Sequence, residues 1–172
     1  MNRLALAVAL GFALLAGGCG YHVSGHADAL PKNIKTIAIP AFSNNTALNH
    51  LATRLPADIT REFISRTRYR VVVDPTAADA VLSGSLLKSF SYASTLDPVT
   101  SRASSAVISV SLSLTLTDRA TGKVIYTRNF DAHERYELSP AADTYFEESD
   151  VALSRMSRTV ARDAVSAILE KF

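Results

Sequence analysis

A strict alternation between residues 105 and 117 is the feature that most constrains the fold. Apolar side chains occupy every second position, and small polar residues and one valine fill the positions between. The apolar positions are Ala106, Ile108, Val110, Leu112, Leu114 and Leu116. Successive side chains of a β-strand point to opposite faces, so this period of two predicts a long strand with one buried face and one wet face.

Four further segments are typical of strands because they are rich in β-branched and aromatic residues and end at turn residues. They are residues 34–39 (before Pro40), 69–73, 80–92 and 124–136. Alternation within 80–92 places Leu82, Leu86, Phe90 and Tyr92 on one face. Within 124–136 it directs Val124, Tyr126, Phe130 and Ala132 towards the core. Residues 42–46 and 118–123 are predicted to be a loop and a turn.

Two segments have helical spacing. In the first, apolar residues recur three or four positions apart at Leu48, Leu51, Leu55, Ile59 and Phe63. Pro56 interrupts this pattern, so the helix either is kinked there or begins afresh. In the second, residues 144–147 (TYFE) match a capping box. The apolar stripe that follows consists of Leu153, Met156, Val160, Ala164, Ala167 and Ile168.

The order of these elements predicts an α+β fold. Two helices pack on one face of a mostly antiparallel or mixed sheet of four to five strands, which buries the stripes of both helices. The other face of the sheet carries serine and threonine, and remains available for water or a partner.

The first eighteen residues are predicted to be a signal peptide. Arg3 precedes a nearly pure apolar run over residues 4–15, and Ala16, Gly17 and Gly18 are small. The run is too short to span a bilayer, which needs about 20 apolar residues. A basic start, a short apolar core and small residues at the cleavage site are typical of a secretory signal.

Cys19 is the only cysteine in the chain, so no internal disulfide can form. Residues 14–19 (LLAGGC) resemble a bacterial lipobox, although alanine stands three positions before the cysteine, where leucine is most usual. This resemblance implies cleavage before Cys19 and lipidation of Cys19; the alternative is a secreted protein with a free thiol. Several acyl chains on one cysteine anchor a protein stably.

The expected organisation is a lipid-anchored tether over residues 19–32 and a single α+β domain over residues 33–172. In lipoprotein sorting, an aspartate after the cysteine retains the protein at the inner membrane. Gly20 stands there instead, which indicates the periplasmic face of the outer membrane. Cleavage leaves 154 residues with a formal charge of +1. A nearly neutral chain without aromatic-basic clusters does not favour nucleic-acid binding.

The sequence contains no motif that favours catalysis or a cofactor. It has no G-x-S-x-G elbow and no glycine-rich phosphate loop. His22 and His26 are spaced four apart, but they lie in the predicted tether without a third ligand, so no metal site is predicted. His133 alternates with charged residues and is predicted to be solvated. The chain is therefore not predicted to be an enzyme.

Two groups of basic residues remain. Arg155, Arg158 and Arg162 share a helix face, and a solvated surface explains them. Lys88, Arg102, Arg119 and Lys123 lie towards the ends of the long hairpins. These four are candidate contacts for the phosphates of an anionic lipid, because lysine and arginine pair well with phosphate. The alternative is that they only keep the turns soluble.

Several segments resemble the LPS-assembly lipoprotein family (LptE). They are residues 19–25 (CGYHVSG), 30–46 (LPKNIKTIAIPAFSNNT), 68–72 (RYRVV), 78–84 (ADAVLSG) and 118–126 (DRATGKVIY). The resemblance covers almost all of the predicted mature chain. The Cys-Gly-Tyr start followed by the Leu-Pro-x-x-Ile strand is its most specific part.

The resemblance implies a fold of two helices on a four-stranded sheet. It also implies that the chain plugs a large outer-membrane β-barrel of the LptD type, helps that barrel to assemble, and takes part in lipopolysaccharide transport to the cell surface, with lipopolysaccharide itself as a ligand. Only Cys19 transfers to this chain from a family motif. The Ser/Thr face of the alternating strand is a candidate contact with the barrel, because the interior of such barrels is polar.

A second hypothesis is an outer-membrane lipoprotein that activates a cell-wall synthase or forms a secretion assembly. Residues 40–46 (PAFSNNT) are shared with such proteins. A tether of about a dozen residues reaches on the order of 40 Å at most. This short reach keeps the domain near its membrane and favours the first hypothesis.

Overall fold

The computed structural model describes residues 30–99, 101–138 and 145–171. The predicted signal peptide, Cys19, His22, His26 and the start of the predicted capping box at Thr144 lie outside them. In chain order the elements are β1 (Thr36–Ala38), β2 (Ser43–Asn44), α1 (Asn49–Arg66), β3 (Arg70–Val72), a 3-10 turn (Pro75–Ala77), β4 (Ala80–Leu96), β5 (Ala103–Asp118), β6 (Val124–Glu137) and α2 (Tyr145–Leu169).

The strands form one mixed sheet in the order β3-β1-β4-β5-β6, and β2 pairs with β4. β1 is parallel to β3 and β4, and β2 is parallel to β4. The long strands β4, β5 and β6 are antiparallel. The predicted α+β class is confirmed. The strand beyond those predicted is β2, whose two residues pair with Ser85 and Leu86 within a segment predicted to be a loop. Two residues are too few to produce a recognisable alternation.

Both helices pack on the same face of the sheet, and the apolar core lies between them and the alternating strand. The apolar stripe of β5 is buried together with Leu82 and Leu86 of β4. From the helices, the core contains Leu51, Leu55, Ile59, Phe63, Met156, Val160, Ala164 and Ile168. The predicted helical stripes are therefore confirmed. α1 runs without a break through Pro56, so the helix does not begin afresh there.

A β-bulge at Leu87 overturns part of the prediction for β4. Before it Leu86 pairs with Leu112, and after it Lys88 pairs with Ser111. One extra residue in a strand moves every later side chain to the opposite face. Phe90 and Tyr92 therefore do not share a face with Leu82 and are exposed.

An extra residue in β6 likewise explains why Val124 does not face the core. A register shift between Leu116 and Thr117 of β5 sets Leu116 opposite Tyr126 and Thr117 opposite Val124, so Ile125 is the extra residue. Val124 is exposed and does not face the core, whereas Tyr126 is buried as predicted. Phe130 and Ala132 are partly buried against the core, as their positions predicted.

Candidate partner-binding surface

The face of the sheet opposite the helices forms a broad polar surface, which we call the outer face. Residues directly opposite each other on paired strands share a face, so the register of β4, β5 and β6 defines its members. The β4 column is Ser83, Ser85, Lys88, Phe90 and Tyr92. The β5 column is Ser105, Val107, Ser109, Ser111, Ser113, Thr115 and Thr117. The β6 column is Thr127, Asn129, Asp131, His133, Arg135 and Glu137.

Side-chain hydrogen bonds connect β5 and β6 across the outer face. Ser111 donates to Asp131 Oδ1 at 2.5 Å, and Ser109 Oγ lies 2.8 Å from His133 Nδ1. Arg135 donates to Ser105 Oγ at 2.9 Å and, from the same Nη2, to Thr95 at 2.8 Å. These bonds hold the polar groups in a fixed pattern, which lowers the entropic cost of binding a partner.

The prediction that all the small polar residues of β5 are wet is wrong at two positions. Ser105 is 0 % exposed and Ser109 is 2 % exposed, because the longer side chains of Arg135 and His133 reach across them. His133 itself is exposed, as predicted.

An aromatic pair interrupts this polar surface. Phe90 and Tyr92 stack with their ring centroids 6.1 Å apart and an interplanar angle of 23°. They are 60 % and 51 % exposed. Leu96 and Val99, further along towards the tip of the β4–β5 hairpin, are also exposed. Contiguous exposed apolar surface marks an interaction site. The exposed aromatic pair was not predicted from the sequence, although the Leu86-Leu87 doublet, which breaks the alternation, was a signal of the bulge.

The four candidate phosphate contacts do not form one cluster. Lys88 lies in the middle of the outer face, opposite Ser111. Arg102 lies at the tip of the β4–β5 hairpin, next to β5. Arg119 and Lys123 lie at the other end of β5, so the distance from Arg102 to these two residues is about the length of β5. At about 3.4 Å per residue this distance is on the order of 50 Å.

Arg119 lies beside two carboxylates, each of which accepts hydrogen bonds from other parts of the fold. Its Nε donates to the carbonyl of Ala78. Next to it, Asp79 Oδ2 accepts the backbone N–H groups of Lys35 and Thr36, both at 2.9 Å, and these bonds hold the pKa of Asp79 below its usual value.

Asp118 is engaged in the same way. It accepts the backbone N–H of Thr121 at 2.9 Å and the amide of Asn33 at 3.0 Å. These two bonds lower the pKa of Asp118, and the bond from Thr121 has the larger effect. Both carboxylates therefore stabilise the turn between β5 and β6 and its junction with β1.

The arginines on α2 fit the predicted solvated face. Arg155, Arg158 and Arg162 are exposed. Arg155 donates to Glu134 on β6 at 2.6 Å, and Arg158 donates to Ser154 on its own helix at 2.8 Å. A surface pair of this kind stabilises a fold by about 1 kcal/mol or less.

Over the described parts of the chain, no three histidine, cysteine or acidic residues lie close enough to hold a metal ion. No helix within those same ranges combines the length and the apolar character needed to cross a membrane. The chemistry that this surface offers is hydrogen bonding, aromatic contact and charge pairing.

Comparison with known structures gives the same fold. Rare lipoprotein B from Shewanella oneidensis matches with a TM-score of 0.54 and 16% identity, over 79% of this chain and 95% of that one. Uncharacterized lipoprotein B from Nitrosomonas europaea matches with a TM-score of 0.52 and 16% identity, over 87% and 88%. The PelC dodecamer from Paraburkholderia phytofirmans matches with a TM-score of 0.53 and 15% identity, over 81% and 92%.

A comparison with curated protein sequences gave no significant match. The family model described as LptE, lipopolysaccharide-assembly, matches residues 34–168. This match spans all of the described elements from β1 to the end of the core stripe of α2. The chain therefore belongs to the LptE family of lipopolysaccharide-assembly lipoproteins.

Proposed function

We propose that this chain is anchored to the periplasmic face of the outer membrane through acylated Cys19, and that it plugs a large LptD-type β-barrel and helps it to assemble. In that role it assists the transport of lipopolysaccharide to the cell surface. The mechanism is binding without turnover, so the chain needs no cofactor.

The observation that carries this proposal is the outer face. The helices cover one side of the sheet, and the other side presents an ordered array of hydroxyl, amide and charged groups over three long strands. A barrel lumen is polar, so a plug needs matching hydrogen-bonding groups. The exposed Phe90–Tyr92 pair adds an aromatic anchor of the kind that contributes most of the binding free energy at protein interfaces.

Direct contact with lipopolysaccharide is the second part of the proposal. Arg119 and Lys123 lie together at one end of the sheet, whereas Lys88 and Arg102 lie elsewhere. The structure therefore favours Arg119 and Lys123 as partners of a single phosphate-bearing ligand, because only these two can reach one lipid headgroup together.

Affinity purification of the tagged, lipidated protein from gently solubilised outer membranes tests the proposal. We expect a stoichiometric large β-barrel with bound lipopolysaccharide. The F90S/Y92S variant should retain its fold, because both rings are exposed, but recover several-fold less barrel. A matched control replaces two exposed apolar residues away from the outer face, Ile64 and Val151, by serine and should leave recovery unchanged.

A secretion assembly remains the alternative, because PelC of Paraburkholderia phytofirmans shares the fold and forms a dodecamer. Recovery of rings of this chain without a barrel, or of a cell-wall synthase, would favour that second hypothesis and reject the plug.

A further inference from the structure

One end of the domain carries a concentrated net positive charge, and the chain leaves the domain there towards Cys19. We call this the anchor end and define it as residues 30–35, 68–70, 79 and 118–123. β1, β3 and β4 begin at this end because they are parallel, and β5 ends there because it is antiparallel to β4.

Hydrogen bonds fix the exit point of the chain. The N–H of Leu30 donates to the hydroxyl of Tyr69 at 2.9 Å, and Leu30 is only 5 % exposed. The packed part of the domain thus includes Leu30, which lies in the segment predicted to be tether. Ten residues lie between Cys19 and this fixed point. Fully extended, they span on the order of 40 Å at most.

The anchor end holds six basic residues against two acidic ones. The basic residues are Lys32, Lys35, Arg68, Arg70, Arg119 and Lys123, and the acidic ones are Asp79 and Asp118. Both carboxylates accept hydrogen bonds from the fold, as described above. The adjoining end of α2 adds Glu170 and Lys171, whose charges cancel. The formal charge of the predicted mature chain is only +1, so the charge is strongly polarised towards this end.

Several basic residues elsewhere in the domain have carboxylate partners. Arg54, Arg61, Arg66, Arg135 and Arg155 each lie within 4.0 Å of one. Within the described part of the chain, Lys32, Lys35 and Arg68 have none at that distance. These three line a cleft of about 360 Å³ together with Leu30, Ile34 and Tyr69. The cleft is therefore lined by three cationic side chains and by three buried hydrophobic residues.

We propose that the anchor end docks on the anionic phospholipid surface of the leaflet that holds the acylated Cys19, with a lipid phosphate in this cleft. The inference rests on the anchoring in the proposed function. Charge complementarity and the short connection to Cys19 both favour an anionic phospholipid. The buried hydrophobic residues of the cleft suit the glycerol region below the lipid phosphate. Docking in this way fixes the orientation of the domain and its distance from the bilayer. That distance in turn determines how far the domain enters the barrel.

Fluorescence energy transfer to headgroup-labelled lipids tests this proposal with the full acylated protein. Acylation occupies the only native cysteine, so one introduced cysteine can be labelled selectively. A120C labels the anchor end and V99C labels the far hairpin tip; both positions are exposed. Vesicles of phosphatidylcholine alone are compared with vesicles that contain about one-third phosphatidylglycerol, because only the second surface is anionic.

We expect the A120C label to approach the anionic surface, and to approach it more closely than the V99C label does. Each basic residue near such a surface contributes about a fivefold factor in binding. The K32Q/R68Q variant should therefore lower the ratio of docked to undocked protein on the order of 25-fold. The control R158Q/R162Q makes the same change in charge on α2 and should have no effect. High salt should weaken docking.

Equal transfer from the A120C label in neutral and anionic vesicles, or equal effects of the two charge variants, would overturn the proposal. Mass spectrometry of Cys19 separates its failure from that of the proposed function. An unacylated Cys19 rejects both, whereas an acylated protein that does not dock rejects only this inference. Neither result depends on a barrel or on lipopolysaccharide.

Discussion

Gly84 is predicted to be essential for packing because the ring of Phe42 lies directly over it. A Cβ added at Gly84 would lie 2.4 Å from Cδ2 of Phe42 and 2.5 Å from Cε2. Real Cβ contacts are never that short, so the buried ring must move. Overpacking of this kind costs about 1–3 kcal/mol. Removing a glycine from the interior of a strand contributes about 0.5–1 kcal/mol in the opposite direction.

For G84A we therefore expect a net destabilisation of about 1–2 kcal/mol, which is a fall in Tm of roughly 3–8 °C for a domain of this size. In an F42A background the clash is gone, so G84A should be neutral or stabilising by about 0.5 kcal/mol. Chemical denaturation of all four proteins measures this double-mutant cycle. If G84A has the same effect in both backgrounds, the contact with Phe42 does not explain the glycine.

Three further predictions concern stability. S157A should lower the free energy of unfolding by about 1–3 kcal/mol, because Ser157 donates to the buried Asp58 across the two helices at 2.6 Å. S154A should have little effect, because the half-buried Ser154 accepts from the exposed Arg158; equal losses for the two variants would contradict this. D79N should lower the free energy of unfolding most near pH 7. The Asp79 carboxylate, with its lowered pKa, stabilises the fold above the usual pKa of 3.8 and loses that effect as pH falls. A difference in stability between D79N and the parent that does not change with pH would refute this. G122A should lower the free energy of unfolding by about 1 kcal/mol, because Gly122 has φ +69°, a backbone conformation that strains an alanine. An unchanged Tm would count against that strain.

The sequence predicted the α+β class because long, regular patterns determine which face of an element is buried. The alternation in β5 and the helical stripes of α1 and α2 extend over many residues, so one local irregularity does not hide them. β2 could not be predicted in this way. It consists of two residues, and it pairs with β4 in the same parallel sense as β1 after an interruption of the pairing between Ala38 and Ser43.

The candidate site was predicted only in part, for a different physical reason. The polar face of β5 follows from alternation, but the position of Phe90 and Tyr92 depends on the bulge at Leu87. A single inserted residue reverses the inward and outward positions beyond it. The four basic residues are spread over the sheet, because β5 is antiparallel to both β4 and β6 and the β4–β5 and β5–β6 turns therefore lie at opposite ends.

Site-specific photo-crosslinking in living cells tests directly whether the outer face contacts a β-barrel. A photoreactive residue at Tyr92 lies on the outer face, where the proposed barrel contact occurs. We expect an adduct between this chain and a large outer-membrane β-barrel, and a much weaker one from the same residue placed at Ala120, which is exposed in the turn at the anchor end. Adducts only with further copies of this chain, or none with a barrel from Tyr92, would contradict it.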